Sequence, residues 1–293
     1  MKLSGCAIIR NGIKYGYPFV QSIKSILPIC GEFIVGVGDS EDQTRKLIED
    51  IRDPKIRIID TVWDMNNRTG GTVLSDQTNL VMKECRGNWI FYIQSDEAAH
   101  EEDFINIIPL LDQLENKKEI DSLAFNYLHF YGSYFTVQTG RNWYKQEVRI
   151  VRNDTGIVSH GDAQGFRKNG KKITAVDCGA RIFHYGWARP PEIMLDKIKS
   201  FHKFWHDDAW VEKNTADKKA NEFFSDLGNL KDYSGNHPAV MKEVINHQND
   251  DFIRACRTEY FKLRSIKDRL NDFFRSITIG QHRNFKLKRI QGL

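Results

Sequence analysis

Three short polar stretches hold the residues best suited to chemistry. Arg10-Asn11-Gly12 follows the apolar run Cys6-Ala7-Ile8-Ile9. Gly38-Asp39-Ser40-Glu41-Asp42-Gln43-Thr44 follows Phe33-Ile34-Val35-Gly36-Val37, and Gln94-Ser95-Asp96-Glu97 follows Trp89-Ile90-Phe91-Tyr92-Ile93. Asp and Ser are common helix caps, so any one of these stretches is accounted for as a turn. Three at one sheet edge point instead to a ligand cleft, because open α/β sheets bind ligands at the carboxyl ends of their strands. The first run is not followed by G-x-G-x-x-G, and G-x-x-x-x-G-K-[ST] occurs nowhere, which disfavours a Rossmann dinucleotide site and a P-loop. Acids without a phosphate-cradling glycine loop suggest another device: a carboxylate holds a divalent cation, and the cation holds phosphates. Asp96, at the end of a buried strand, is the best metal candidate. Gly70-Gly71 permits a tight loop before a helix, with backbone N–H groups placed to meet a diphosphate. On that helix Gln77 and Asn79 are candidate donor contacts; the plain alternative is a loop and an amphipathic helix.

The elements that must position these residues alternate in type. Apolar runs at 6–9, 33–37, 56–59 and 89–93 read as strands, and helical spacing appears at 17–27, 41–52 and 72–85. This alternation implies βαβ units and a mostly parallel sheet covered on both faces. Residues 104–114 read as a further helix. Between 122 and 187 come β-like runs at 123–130, 134–138, 146–151, 173–176 and 180–185, read as an antiparallel extension. From Pro191 onward the pattern is helical: 191–212, a short helix near Ala220, 238–246 and 251–276. Pro190-Pro191 marks a boundary, since Pro suits a helix's first turn. The expected organisation is a catalytic domain at 1–190 and a helical extension at 191–293.

At this point the chain resembles a family. "FIVGVGDSEDQT", "WIFYIQSDE" and the later "RIFHYGW" are similar to motifs of the GT-A family 2 glycosyltransferases, over roughly residues 4–190. The resemblance implies a GT-A fold, a nucleotide-sugar donor, a carbohydrate or glycolipid acceptor, and a divalent metal, Mn²⁺ or Mg²⁺. It places Asp39 on the nucleotide base or ribose and Arg10 and Asn11 in the first nucleotide-contacting loop. The family's D-x-D falls on Gln94-Ser95-Asp96. Asp96 keeps the metal-ligating position, while Gln94 departs from the first Asp and is expected to hydrogen-bond the ribose. His184 matches a late metal-ligating His of several such enzymes; neutral imidazole suits Mn²⁺. The competing account is a His packed among aromatics.

Family 2 enzymes are inverting, so a carboxylate must take the proton of the acceptor hydroxyl. Two acids compete. Asp162, in Ser159-His160-Gly161-Asp162, lies in a Gly-bearing loop free to face a cleft. Glu147, in Tyr144-Lys145-Gln146-Glu147-Val148-Arg149, starts a strand and has Arg149 two residues on, an ion-pair partner on the same face. Asp162 is preferred. Of the central aromatics Tyr127, Phe130, Tyr131, Tyr134, Phe135, Trp143 and Tyr144, one or two are expected to line the acceptor site. Trp187 and Arg189 are placed to cap the same cleft.

Net charge excludes other classes. The chain carries +4, but residues 254–293 alone carry +8, leaving −4 on the rest. An acidic body does not bind nucleic acid through its phosphates. The basic tail, on an amphipathic helix, is read as docking on the catalytic domain or a partner, with a peripheral contact to an anionic membrane face as the alternative. Five widely spaced cysteines without a C-x-x-C favour reduced thiols and a cytoplasmic setting. Absence of a Q-x-x-R-W signature and of membrane spans favours single addition over polymerisation, with cell-surface polysaccharide or lipopolysaccharide assembly as the setting that the family suggests. A nucleotidyltransferase of similar sheet architecture and an inactive sugar- or nucleotide-binding protein remain as alternatives.

Overall fold

The computed structural model describes residues 3–140, 143–216, 229–247 and 283–289. The first apolar runs become parallel strands β1 (Leu3–Ile9), β2 (Glu32–Val37), β3 (Ile56–Asp60) and β4 (Trp89–Tyr92), in the order β3-β2-β1-β4. Helices α1 (Phe19–Ile26), α2 (Thr44–Glu49) and α3 (Thr72–Met82) connect them. Alternate residues feed two cores. Phe33, Val35 and Phe91 pack with α1, while Ile34, Ile90 and Tyr92 pack on the other face with Val73, Val81 and Met82 of α3. Burial on both faces is why the runs of β1, β2 and β4 are continuously apolar, while β3, at the sheet edge, is only partly buried.

Beyond β4 the chain turns through Gln94-Ser95-Asp96 into β5 (Glu97–Ala99) and α4 (Phe104–Leu114), which packs on the α1 face. β6 (Ser122–Tyr131), β7 (Thr136–Gln138) and β8 (Gln146–Arg152) follow, with β8 between β4 and β6 and antiparallel to both. Arg152 on β8 stacks 4.2 Å over the Trp89 ring and donates to the carbonyls of Leu114 and Ile120, closing the end of α4. β9 (Ile157–His160), β10 (Gly165–Lys168) and β11 (Lys171–Lys172) form a separate small sheet whose first hairpin loop carries Asp162. β12 (Thr174–Trp187) then runs parallel to β6 and antiparallel to β5.

The α/β class with a β-rich extension stands as expected, but three details differ. The runs at 173–176 and 180–185 are one strand, whose register shifts between Asp177 and Arg181 around Gly179 at φ +69°. That strand is parallel to β6, so the extension is mixed and not antiparallel throughout. The helix expected at 191–212 breaks into α5 (Pro191–His202) and α6 (Asp208–Thr215), because the Asp207 side chain caps α6 by accepting from Trp210 N at 2.7 Å. β13 (Leu230–Asp232) pairs with β7, α7 (Lys242–Asn246) follows, and β14 (Lys286–Leu287) lies along β12. The helices expected near Ala220 and at 251–276, with most of the basic tail, lie outside the described residues. Of that tail, residues 283–289 attach to the body: Phe285 is buried in the α3-side core. Among the described residues no helix is long and apolar enough to cross a membrane.

Candidate active site

A cavity of about 290 Å³ opens at the carboxyl ends of β1 and β4, the edge where sheet topology places ligands. Its wall brings together Arg10, Gln94, Ser95, Asp96, Asp162 and His184 from the sequence-derived candidates, with Trp63, Tyr144, Trp187, Lys197 and Phe201.

The pairing of β5 with β12 explains how Asp96 meets His184. The turn after β4 is pinned by Ser22 Oγ donating to Ser95 O at 3.1 Å and by Tyr185 N donating to Asp96 O at 2.7 Å. His184 lies opposite Glu97 on one side and opposite His129 on the other. Asp96 Oδ2 consequently lies 3.8 Å from His184 Nε2 and 3.2 Å from Lys197 Nζ. Burial alone would raise the Asp96 pKa, but the positive charge around it, Lys197 first, outweighs it and holds the carboxyl well below the usual range. The same burial, with Arg189 close by, brings Lys197 down to about 8.

The protonation of His184 follows from its neighbours. His129 Nε2 lies 2.7 Å from Tyr144 O, a pure acceptor, so that nitrogen carries the proton. Burial, and then His184, depress the His129 pKa to about 3, leaving its Nδ1 bare. His129 Nδ1 is 3.0 Å from His184 Nδ1, which must therefore donate. Burial lowers His184 to about 4, so this ring too is neutral, and its Nε2 faces Asp96 as an unprotonated lone pair. Gly186 makes room for this arrangement: a Cβ there would lie 2.6 Å from His184 Nε2 and 2.9 Å from Asp96 Oδ2.

A neutral imidazole nitrogen beside an ionised carboxylate is the donor chemistry that a Mn²⁺ or Mg²⁺ site needs. Asp96 and His184 therefore fit as two protein ligands. Among the described residues no group of three or more His, Cys, Asp or Glu converges, so further ligands would have to come from substrate and water.

Gln94 has a structural reason to differ from Asp. Its Nε2 donates to Ala163 O at 3.3 Å, tying the β4 end to the hairpin loop of Asp162. An ionised Asp has no proton to donate there. Glu97 is wholly buried and not a ligand. Arg149 grips it through Nε and NH2 at 2.8 and 2.7 Å, and Tyr127 OH donates to it at 2.8 Å. The partner of Arg149 is thus Glu97 across the sheet, not Glu147.

The two candidate bases separate cleanly. Asp162 lies on the cavity wall and accepts from Gln164 N at 3.2 Å. Glu147 is 1% exposed and lies off the wall; its carboxylate accepts from Val148 N, Gln164 Nε2 and Asn284 Nδ2 at 3.0, 3.1 and 3.0 Å. Burial raises its pKa.

Other candidates sit behind the wall. Asn11, at φ +53°, accepts from Glu41 N at 2.7 Å through its side chain and so ties two strand-end loops together. Asp39 is half exposed and reaches the cavity through Arg10, whose Nε donates to it at 3.1 Å. Gln77 Nε2 donates to Val62 O at 3.0 Å. Asn79 clips α3 to β9 by donating to Ser159 O at 3.1 Å and accepting from Ser159 N at 2.7 Å. Gly71, at φ +73°, allows close approach to Trp205 and Asp162, and its N–H donates to Phe204 O at 3.1 Å. That N–H is therefore not available to a diphosphate.

Lys197 and the relay role of His129 were not anticipated. The signal for Lys197 was present: Met194, Ile198 and Phe201 form one apolar helix stripe, and Lys197 interrupts it.

No protein-family model matches the chain, and no curated protein matches it. Solved structures similar to it include S. aureus TarS, at 14% identity and TM-score 0.39, covering 73% of this chain and 42% of that one. A shorter form, TarS 1-349 in complex with UDP-GlcNAc, gives 13% identity and TM-score 0.38 over 77% of this chain and 72% of that one. Glucosyl-3-phosphoglycerate synthase from Mycobacterium tuberculosis, in complex with Mn²⁺, UDP and phosphoglyceric acid, gives 14% and 0.38 over 70% and 78%. The chain spans less than half of the longer TarS structure. The likeness to these structures is one of fold, at low sequence identity.

Proposed function

We propose that the protein is an inverting glycosyltransferase that moves a sugar from a nucleotide-sugar donor to an acceptor hydroxyl. The observation carrying this reading is the Asp96 carboxylate, kept ionised at the end of β4 inside a cavity and flanked by the bare Nε2 of His184 and the ammonium of Lys197. Such a site suits a group that arrives with a cation and leaves as a diphosphate.

In this reading Asp162 accepts the proton of the acceptor hydroxyl as its oxygen attacks the anomeric carbon. The bond from that carbon to the diphosphate oxygen breaks, and Lys197 and Arg189 offset the charge that develops on the leaving group. Arg10, with Asp39 behind it, and Gln94 and Ser95 orient the nucleotide. Asp96 and His184 would hold a divalent metal, which supplies further charge neutralisation when bound. Tyr144, Trp187 and Phe201 offer rings on which a carbohydrate acceptor can stack. Four described cysteines, Cys6, Cys30, Cys85 and Cys178, are free and buried, which supports a reducing, cytoplasmic setting. The resemblance supports a role in cell-surface polysaccharide or lipopolysaccharide synthesis. It also supports a division into a catalytic unit at 1–190 and an extension at 191–293 that lends Lys197 and Phe201 to the cavity.

The test is product analysis with a panel of nucleotide-sugars. Release of nucleoside diphosphate with inversion at the anomeric carbon is expected. Asp162→Asn should lower kcat by roughly 100-fold or more with donor affinity retained. Release of pyrophosphate would overturn the reading in favour of nucleotidyl transfer.

A further inference from the structure

Lys197 sits where a metal would find its carboxylate. Its Nζ donates to Asp96 Oδ2 at 3.2 Å and to Gly186 O at 2.8 Å, so the ammonium has a built seat of one charge and one carbonyl. The Tyr17 ring supports that seat, with its centroid 5.3 Å from Nζ. Arg189 lies over the same ring, its guanidinium 4.5 Å from the centroid. Arg189 NH1 donates to Tyr15 O at 3.0 Å; NH2 is buried without a hydrogen-bond partner, 4.0 Å from Asp96 Oδ2. Two cations therefore face one carboxylate. The charge of Asp96 is more than offset before any other cation reaches it, and a metal entering beside it meets like charge on the same oxygen.

We infer that Lys197 is the resident cation of the Asp96 site: it holds the carboxylate while the site is empty of donor, gives it up to a divalent metal, and turns to the donor's diphosphate. The first step rests on the geometry; the other two rest on the glycosyltransferase reading and its divalent metal. The long unbranched side chain makes the move feasible, since Lys carries a compact point charge on four rotatable methylenes. The exchange couples metal entry to charge compensation on the leaving group, because the ammonium is freed only when Asp96 has another partner.

The test uses the full chain and two probes. Mn²⁺ alone is titrated and followed by the loss of the free-ion electron paramagnetic resonance signal. Inorganic pyrophosphate is titrated calorimetrically at saturating Mn²⁺. In Lys197→Met, Mn²⁺ alone is expected to bind roughly tenfold more tightly, because the competing charge is gone. Pyrophosphate is expected to bind roughly tenfold more weakly, because one of its cations is gone. Lys197→Gln keeps a donor for Gly186 O and should behave the same way, which separates charge from packing. Asp96→Asn should abolish the Mn²⁺ signal change. A merely structural lysine would weaken both ligands together, and that result overturns the inference. So does unchanged Mn²⁺ affinity in both Lys197 variants, or pyrophosphate affinity that does not depend on Lys197. Failure of every nucleotide-sugar to bind would instead strike the functional reading and leave the Mn²⁺ comparison readable.

Discussion

Removal of Arg149 should cost the protein both stability and its site. Arg149 and Glu97 are wholly buried, joined by two hydrogen bonds of 2.8 and 2.7 Å. Arg149 also donates to Val148 O at 2.8 Å and Gln164 O at 2.9 Å, while Glu97 accepts from Gln94 N at 3.1 Å and from Tyr127 OH. The pair thus joins the Asp96 turn to the Asp162 hairpin. Arg149→Met leaves Glu97 charged and buried without its counter-ion, a loss of about 3–5 kcal/mol. For a chain of this length each kcal/mol corresponds to roughly 2 °C, so Tm should fall by roughly 6–10 °C. The double variant Glu97→Gln/Arg149→Met removes both charges, and should be more stable than Arg149→Met alone by about 1–3 kcal/mol. Urea unfolding of the wild type, both single variants and the double variant gives the coupling energy directly. A loss under about 1 kcal/mol for Arg149→Met, or losses that simply add in the double variant, would refute the reasoning.

Other consequences follow from the same geometry. Gly186→Ala should abolish Mn²⁺ binding or weaken it at least tenfold, since its Cβ would crowd His184 Nε2 and Asp96 Oδ2, and the overpacking should cost about 1–3 kcal/mol of stability; retained Mn²⁺ affinity would count against that metal pair. His237, packed by Tyr185, Phe130 and Tyr233, has its pKa depressed by burial to about 4. Its neutral form is the folded one, and the unfolded chain takes up the proton first. Its contribution is therefore fully present above the ordinary His pKa of about 6.5 and is lost as pH falls from there toward 4. Urea midpoints measured between pH 7 and 4.5 should drop in the wild type and drop less in His237→Phe.

Much of the scaffold was legible because it obeys short-range rules. Continuous apolar runs at 33–37 and 89–93 could only be strands buried on both faces, and the helices between them show in their spacing. The cavity edge was legible for the same reason: acids after buried strands have one place to go. What was hidden depended on distant pairing. No local pattern says that β12 bends past a register shift to lie parallel to β6, or that His184 therefore faces His129. Glu147 and Arg149 alternate as an ion pair on one strand face would, but Arg149 is claimed by Glu97 across the sheet, 52 residues away. Asn11, Gln77 and Asn79 have the polarity of ligand contacts, and the structure spends that polarity on loop and strand carbonyls and N–H groups. Lys197 is legible as a charge interrupting the apolar stripe of Met194, Ile198 and Phe201, but no local pattern says that this stripe faces the Asp96 cavity.

If the protein is a glycosyltransferase, the Asp96 cavity binds a nucleotide-sugar. Thermal melting of wild type and Asp96→Asn with UDP-, GDP-, CMP- and dTDP-sugars, each with and without Mn²⁺, tests it most directly. A bound donor at a hundredfold excess over its Kd stabilises the native state by about 2.7 kcal/mol, a rise of several degrees. That rise is expected for at least one donor in the wild type, larger with Mn²⁺, and should be lost in Asp96→Asn. No shift from any donor, or the same shift in both proteins, would contradict it.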